Sequence, residues 1–201
     1  ARAAHGELQH LLWQAETFGF HLAELEVRQH SAVHAAALEE LLGQLDDDPG
    51  APGSPERLAV LDRLAVHGWP EQVRPLTEAT GEVLDTFRLM GWLQQRWGRR
   101  CCGRYVVSFS QSAEHLVAVR ALARLAVGER PLNLDVVPLF ETGADLRAAG
   151  ATLSAWMDLA STRAWLEDRD RQVEVMVGYS DSAKDIGPAA ATLTLYRTQA
   201  E

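Results

Sequence analysis

Four charged side chains in this sequence, Arg28, Glu141, Asp181 and Lys184, could act together in one piece of chemistry. Each follows an apolar run that reads as a buried strand, and each run gives way to a helical pattern. The last run shows the change most openly. In VEVMVGYSDSAKDIG (173–187), Val173, Val175, Met176 and Val177 suit a dry sheet interior, while Ser180, Asp181, Ser182, Lys184 and Asp185 suit water, an ion or a ligand. Two carboxylates with no histidine or cysteine pair beside them suit a hard cation with oxygen ligands, Mg2+ or Mn2+, whose other positions go to water and substrate oxygens. A nearby arginine would clamp a phosphate or carboxylate in its fork. Together the groups describe a site for an anionic small molecule on which negative charge grows during reaction.

Each group also has a plainer reading. Glu141 and Asp181 precede helices and suit the positive end of a helix dipole without any ion. Arg28 could be a structural ion-pair partner, and Lys184 a solvated first-turn lysine. Gln29, His30, Ser110 and Gln111 also fall at strand ends, and His21, His30 and His34 are assigned no ligand role.

The elements that must position these groups are four expected strands, FHLAELEV (20–27), YVVSF (105–109), LDVVPLF (134–140) and VEVMVGY (173–179). Ser31, Ser112, Thr142 and Ser182 are placed to cap the helices that follow, and Asp145 and Asp185 three residues on suggest capping boxes. Between the first two strands an excursion holds helices near 31–45 and 55–66, and a longer one carrying Val83, Leu84, Phe87, Met90 and Leu93. Pro138 predicts that the third strand loosens near its end. The alternation implies parallel strands joined by right-handed crossovers. It makes an α/β fold that is either part of a helix-rich (β/α)8 barrel or a small doubly wound sheet. In both, functional groups gather at the C-terminal strand ends.

Composition narrows the classes. A chain of 201 residues, 47% hydrophobic, suits one domain with a full core, and a net charge of -9 argues against nucleic acid or an anionic membrane as partner. Arg96, Arg99, Arg100 and Arg104 read as a solvated helix end, and Asp46, Asp47 and Asp48 as solvated acids in a flexible loop, 46–56. No apolar run is long enough for a membrane span, and no signal peptide is visible. Cys101 and Cys102 are too close for an ordinary disulfide and read as reduced thiols of a cytoplasmic protein. The tryptophans, Trp92 and Trp97 among them, read as core and helix-packing residues. The sequence opens without methionine inside a helical pattern (Leu8, Leu11, Leu12, Ala15) and stops inside another, which suggests a piece of a longer chain.

The segment GYSDSAKD (178–185), with Gly187 and the helix AAATLTLYRTQ (189–199), resembles the signature region of the phosphoenolpyruvate carboxylase family. The resemblance runs back through VPLFETGADL (137–146), YVVSFSQSAEHLVAV (105–119) and TFGFHLAELEVRQHS (17–31), in the family's order and near its spacing. The alanine-rich flavour and the D-I-G-P ending are similar to the actinobacterial branch. The resemblance implies a large helix-rich (β/α)8 barrel enzyme, usually a homotetramer. It joins bicarbonate to phosphoenolpyruvate with Mg2+ or Mn2+, giving oxaloacetate and phosphate and feeding the tricarboxylic acid cycle. On it, Glu141 and Asp181 fall on the family's metal carboxylates, Arg28 on its phosphate-facing arginine, and Lys184 on a lysine of the bicarbonate side.

Some of the family's pattern is missing: the A-H-P-T-E segment, the F-H-G-R-G-G segment expected after residue 201, the glycine-rich mobile loop and the C-terminal effector region. Position 26 is Glu where D-x-R-Q is commoner. The expectation is a single central fragment, residues 1–201, without turnover of its own. The alternatives are another metal-dependent barrel enzyme on a pyruvate-like substrate, or a non-catalytic helical interaction module.

Overall fold

The computed structural model describes residues 5–200. Four short strands form one sheet in chain order: β1 (Val27–His30), β2 (Arg104–Ser108), β3 (Asp135–Phe140) and β4 (Met176–Val177). All neighbours are parallel, so every connection must cross from one end of the sheet to the other, and helices make the crossings. Helix α1 (Glu7–Phe18) precedes the sheet. Helices α2 (Ser31–Leu42), α3 (Pro55–His67) and α4 (Glu78–Trp97) link β1 to β2, and α5 (Ala113–Val127) links β2 to β3. Helices α6 (Gly143–Met157) and α7 (Ala160–Glu167) link β3 to β4, with α8 (Tyr179–Ile186) and α9 (Pro188–Ala200) beyond. The result is the expected helix-rich α/β chain, and its sheet is compatible with one arc of a partial barrel.

The side-chain alternation of β2 and β3 divides the interior. Tyr105, Val107 and Val136 face the helices and join Leu38, Leu61, Leu84, Phe87, Leu116 and Leu122 in the main core. Val106, Val137 and Leu139 form a separate cluster on the other face, with Met176 against it. Both faces are covered, which is why these strands read as unbroken apolar runs. The helix starts follow local chemistry: Ser54, Thr77 and Ser112 each accept a first-turn amide, and Thr142 with Asp145 makes a full capping box.

Several expectations need correction. The first strand is not 20–27 but begins at Val27, because its partner β2 begins at Arg104 and supplies no ladder before that. The chain instead turns after α1 through left-handed Gly19 and Leu22 (φ 51° and 67°), leaving Phe20 93% exposed. Arg28 therefore lies within β1 rather than beyond its end. The fourth strand is only Met176–Val177, since α8 already starts at Tyr179.

Ser31 does not cap α2. His30 does, its Nδ1 accepting from the Ala32 amide, while Ser31 Oγ donates to the Phe109 carbonyl. Ser182 lies inside α8 and donates to the Gly178 carbonyl one turn back, and Asp185 accepts from the amide of Gly143 in α6. Pro138 does not loosen β3, where it pairs in register with Val107. The Leu139 carbonyl accepts from Ser110 on the β2 side and that of Phe140 from Gly178 on the β4 side. Alternation thus turns residue 138 toward β4, whose pairing starts only at Leu139 and Met176, so its missing N–H costs no ladder bond.

Trp92 and Trp97 are 58% and 46% exposed. The buried stripe of α4 runs through Val83, Leu84, Phe87, Met90 and Gly91, and Trp92 lies off it. Arg104 opens β2 rather than ending a helix, and with Arg100 it grips Glu24. Cys101 and Cys102 are free and buried.

Candidate functional site

Glu141 is the residue after β3, and its side chain is only 5% exposed. Both of its oxygens are held. Arg28 Nη2 from β1 donates to Oε1 at 2.6 Å, and the Phe109 amide, just past β2, donates to Oε2 at 3.1 Å. Three neighbouring strand ends therefore meet on one carboxylate. The Arg28 side chain remains 48% exposed, so its other guanidinium donors are open to an incoming anion.

Phe109 reaches Glu141 through an uncommon backbone. Its φ is 53°, a left-handed conformation that costs a residue with a Cβ roughly 1–2 kcal/mol. Its ring stacks on the His30 imidazole with centroids 4.5 Å apart and planes at 22°. On the far side of Glu141, the Gly178 amide donates to the Phe140 carbonyl at 2.8 Å, locking the end of β4 to the end of β3. A Cβ on residue 178 would stand 3.1 Å from Glu141 Cα and 3.3 Å from its Cγ. Glycine lets the two strand ends approach this closely without either giving way by the few tenths of an ångström that a Cβ would require.

Asp181 lies in the first turn of α8, where a carboxylate complements the helix dipole. Lys184 is one turn on, with Nζ 3.5 Å from Asp181 Oδ1 and the two side chains 78% and 50% exposed. A pair so open contributes little to stability. The structure thus brings Arg28 to Glu141 and Lys184 to Asp181, all at the C-terminal end of one parallel sheet. Among the described residues no hydrogen bond or ion pair joins the two pairs. Nearby, Gln111 Nε2 donates to Asp145 Oδ1, and the Gln111 amide donates to His115 Nδ1, an imidazole whose pKa burial pushes down.

Among the described residues, no group of three or more His, Cys, Asp and Glu could hold a metal ion. A cation shared by Glu141 and Asp181 would rest on two carboxylates. That donor set fits a hard ion which draws its remaining ligands from water and substrate oxygens, and it does not fit zinc or another soft metal. A cavity of about 500 Å3 lies at the opposite end of the strands, lined by Arg104, Asp135, Trp165 and Arg169, and is separate from this rim.

Sequence reasoning missed Phe109 and Gly178. The glycine stands inside G-Y-S-D, where a strand meets a helix, and that position is a signal for close backbone approach. For Phe109 no sequence signal exists, since phenylalanine does not announce a left-handed φ.

A parallel α/β sheet with a carboxylate after one strand, an arginine reaching it from another and an acid and a lysine on the helix that follows the last strand has its charged groups on the side where enzymes of this architecture carry theirs. The sequence model of the family described as phosphoenolpyruvate carboxylase matches residues 1–201. Over 99% of its length the chain is 39% identical to a phosphoenolpyruvate carboxylase of Roseiflexus castenholzii, and over 96% it is 39% identical to one of Xanthomonas oryzae pv. oryzae. A third, of Thermosynechococcus vestitus, is 36% identical over 96% of the chain. The chain belongs to the phosphoenolpyruvate carboxylase family. It spans about a fifth of the length of these relatives, 22%, 22% and 20% respectively.

Proposed function

We propose that this chain serves the carboxylation of phosphoenolpyruvate by bicarbonate, yielding oxaloacetate and inorganic phosphate, as the central segment of a (β/α)8 barrel. The observation that carries this reading is the family match along residues 1–201 coinciding with four charged groups toward the C-terminal side of the sheet. The sequential parallel strand order supports the barrel. So does the Val106, Val137, Leu139 and Met176 cluster, placed as a layer of barrel interior would be.

In this reading Glu141 and Asp181 hold Mg2+ or Mn2+. A bound ion would supply positive charge to balance the negative charge that builds on the substrate oxygen. Arg28, half-exposed at the rim, binds the phosphoryl oxygens of phosphoenolpyruvate and neutralises them as a bicarbonate oxygen attacks phosphorus. The bond from phosphorus to the enol oxygen breaks, giving carboxyphosphate and the enolate of pyruvate. Carboxyphosphate releases CO2 and phosphate, and the enolate carbon takes up the CO2. Lys184, with three ammonium donors on an exposed helix turn, attracts and orients bicarbonate.

The same reading makes the complete enzyme a cytoplasmic homotetramer feeding the tricarboxylic acid cycle, and the 201-residue chain alone inactive and at best a weak metal binder. No helix among the described residues is long and apolar enough to cross a membrane. Asp181→Asn in the full-length enzyme is expected to abolish metal-dependent oxaloacetate formation while the circular dichroism spectrum stays native. Unchanged activity with an unchanged Mn2+ dependence would overturn the ligand assignment.

A further inference from the structure

We propose that Phe109 is a positioning residue: its left-handed backbone aims the amide N–H at Glu141 Oε2 and so fixes the carboxylate for the cation. The proposal rests on the reading of Glu141 as a cation ligand.

Four described non-glycine residues have positive φ: Leu22, Phe109, Asp170 and Arg171. Leu22, Asp170 and Arg171 fall in bends and turns away from the rim. Phe109 stands at the C-terminal end of β2, between the ends of β1 and β3. In a regular parallel strand the N–H and C=O of one residue face the same neighbouring strand. Phe109 breaks that rule. Its N–H points toward the β3 side, to Glu141 at 3.1 Å, and its carbonyl toward the β1 side, where Ser31 Oγ donates at 2.8 Å.

A conformation of this kind persists only where the surroundings over-determine it, and strained residues gather at functional sites. Here one stretch of chain restrains both its carbonyl and its ring. Ser31 holds the Phe109 carbonyl and His30 stacks on its ring, and both lie within three residues of Arg28, which holds the other oxygen of Glu141. The stretch from β1 into α2 thus fixes both oxygens of the carboxylate, one through Arg28 and one through Phe109. Partners that orient a ligand in this way are usually worth 10- to 100-fold in metal affinity.

Two substitutions separate backbone from ring. Both Phe109→Asn and Phe109→Val remove the ring and keep the N–H, but asparagine tolerates the left-handed region and β-branched valine does not. In the full-length enzyme without substrate, Mn2+ affinity is read by electron paramagnetic resonance, alongside hydrogen exchange of the residue 109 amide. Phe109→Val is expected to bind Mn2+ about tenfold more weakly with a less protected amide, while Phe109→Asn stays within about threefold of the parent. Equal behaviour of the two variants overturns the proposal. If both bind normally the backbone is not needed, and if both fail alike the ring alone matters. Should Phe109→Val not fold, Ser31→Ala frees the Phe109 carbonyl without touching residue 109 and is expected to weaken Mn2+ in the same way; normal binding by it overturns the proposal. Glu141→Gln separates the premise. Unchanged Mn2+ binding there removes the reading of Glu141, and the proposal with it, whereas weakened binding there with equal Phe109 variants removes the positioning role alone.

Discussion

His34 gives the fold a built-in sensitivity to acid. It has no exposed surface, and its Nε2 lies 2.8 Å from the Tyr105 hydroxyl, while Nδ1 has no partner in the protein. Burial, with smaller contributions from the charges of His115 and His30, pushes its pKa down to about 4 from 6.5. The unfolded chain therefore takes up a proton that the native state refuses, so the contribution is intact above pH 6.5 and lost as pH falls from there toward 4. The gap between 6.5 and about 4, at 1.36 kcal/mol for each pH unit, sets a ceiling of about 3 kcal/mol. Between pH 7 and pH 4.5 the loss is roughly 2 kcal/mol, or about 4–8 °C in Tm for a chain of this size. His34→Gln offers Tyr105 an amide donor and acceptor but cannot titrate. Urea unfolding of both proteins at the two pH values isolates the effect as a difference of differences. Groups common to both cancel, among them Glu40, whose carboxyl the Thr77 hydroxyl and neighbouring donors hold at about 2. If parent and variant lose the same stability between pH 7 and 4.5, the buried imidazole is not what the acid attacks.

Arg57→Leu tests the polar anchor of the 46–54 loop. The Arg57 side chain is 3% exposed, and it binds Glu39, Glu114 Oε1 at 3.0 Å and the Gly50 carbonyl at 3.3 Å. Removing it leaves the 12% exposed Glu114 carboxylate without a cation, an expected loss of about 3–5 kcal/mol by urea unfolding; a loss below about 1 kcal/mol would contradict the argument. Gly178→Ala puts a Cβ 3.1 Å from Glu141 Cα, and the crowding is expected to cost about 1–3 kcal/mol by the same assay. In the full-length enzyme it should also weaken the Mn2+ response, and wild-type values in both measurements would show that the strand ends can part freely.

What was legible in the sequence was whatever neighbouring residues decide. Ser112 and the Thr142–Asp145 box start their helices as expected because a cap needs only a side chain and an amide two or three residues on. The two central strands were legible because burial on both faces leaves an unbroken apolar run. The outer strands were not, since their lengths depend on partners distant in the chain. Phe20 to Glu26 carries a strand-like pattern, yet β2 reaches only as far back as Arg104 to pair with it. Val173 and Val175 look like strand, yet the β3–β4 pairing covers only Met176 and Val177. Pro138 misled for the opposite reason. Its defect was real, but it faces a side of β3 where no bond was due.

The candidate site divides along the same line. That strand ends carry the chemistry is a rule of parallel α/β architecture, so Arg28, Glu141, Asp181 and Lys184 could be named from strand positions alone. Which of them touch could not, because Arg28 and Glu141 are 113 residues apart and meet only when β1 and β3 flank β2. Arg28 lies within β1 and not beyond it, but its long guanidinium at an exposed edge position spans to Glu141. Phe109 could not have been found that way, since it acts through its peptide and any residue carries the same N–H. Its left-handed φ arises only when Ser31 and His30 arrive from one side and Glu141 from the other. Functional information held in the backbone is written in the fold, and a residue-by-residue reading reaches it only where glycine marks the place, as at Gly178.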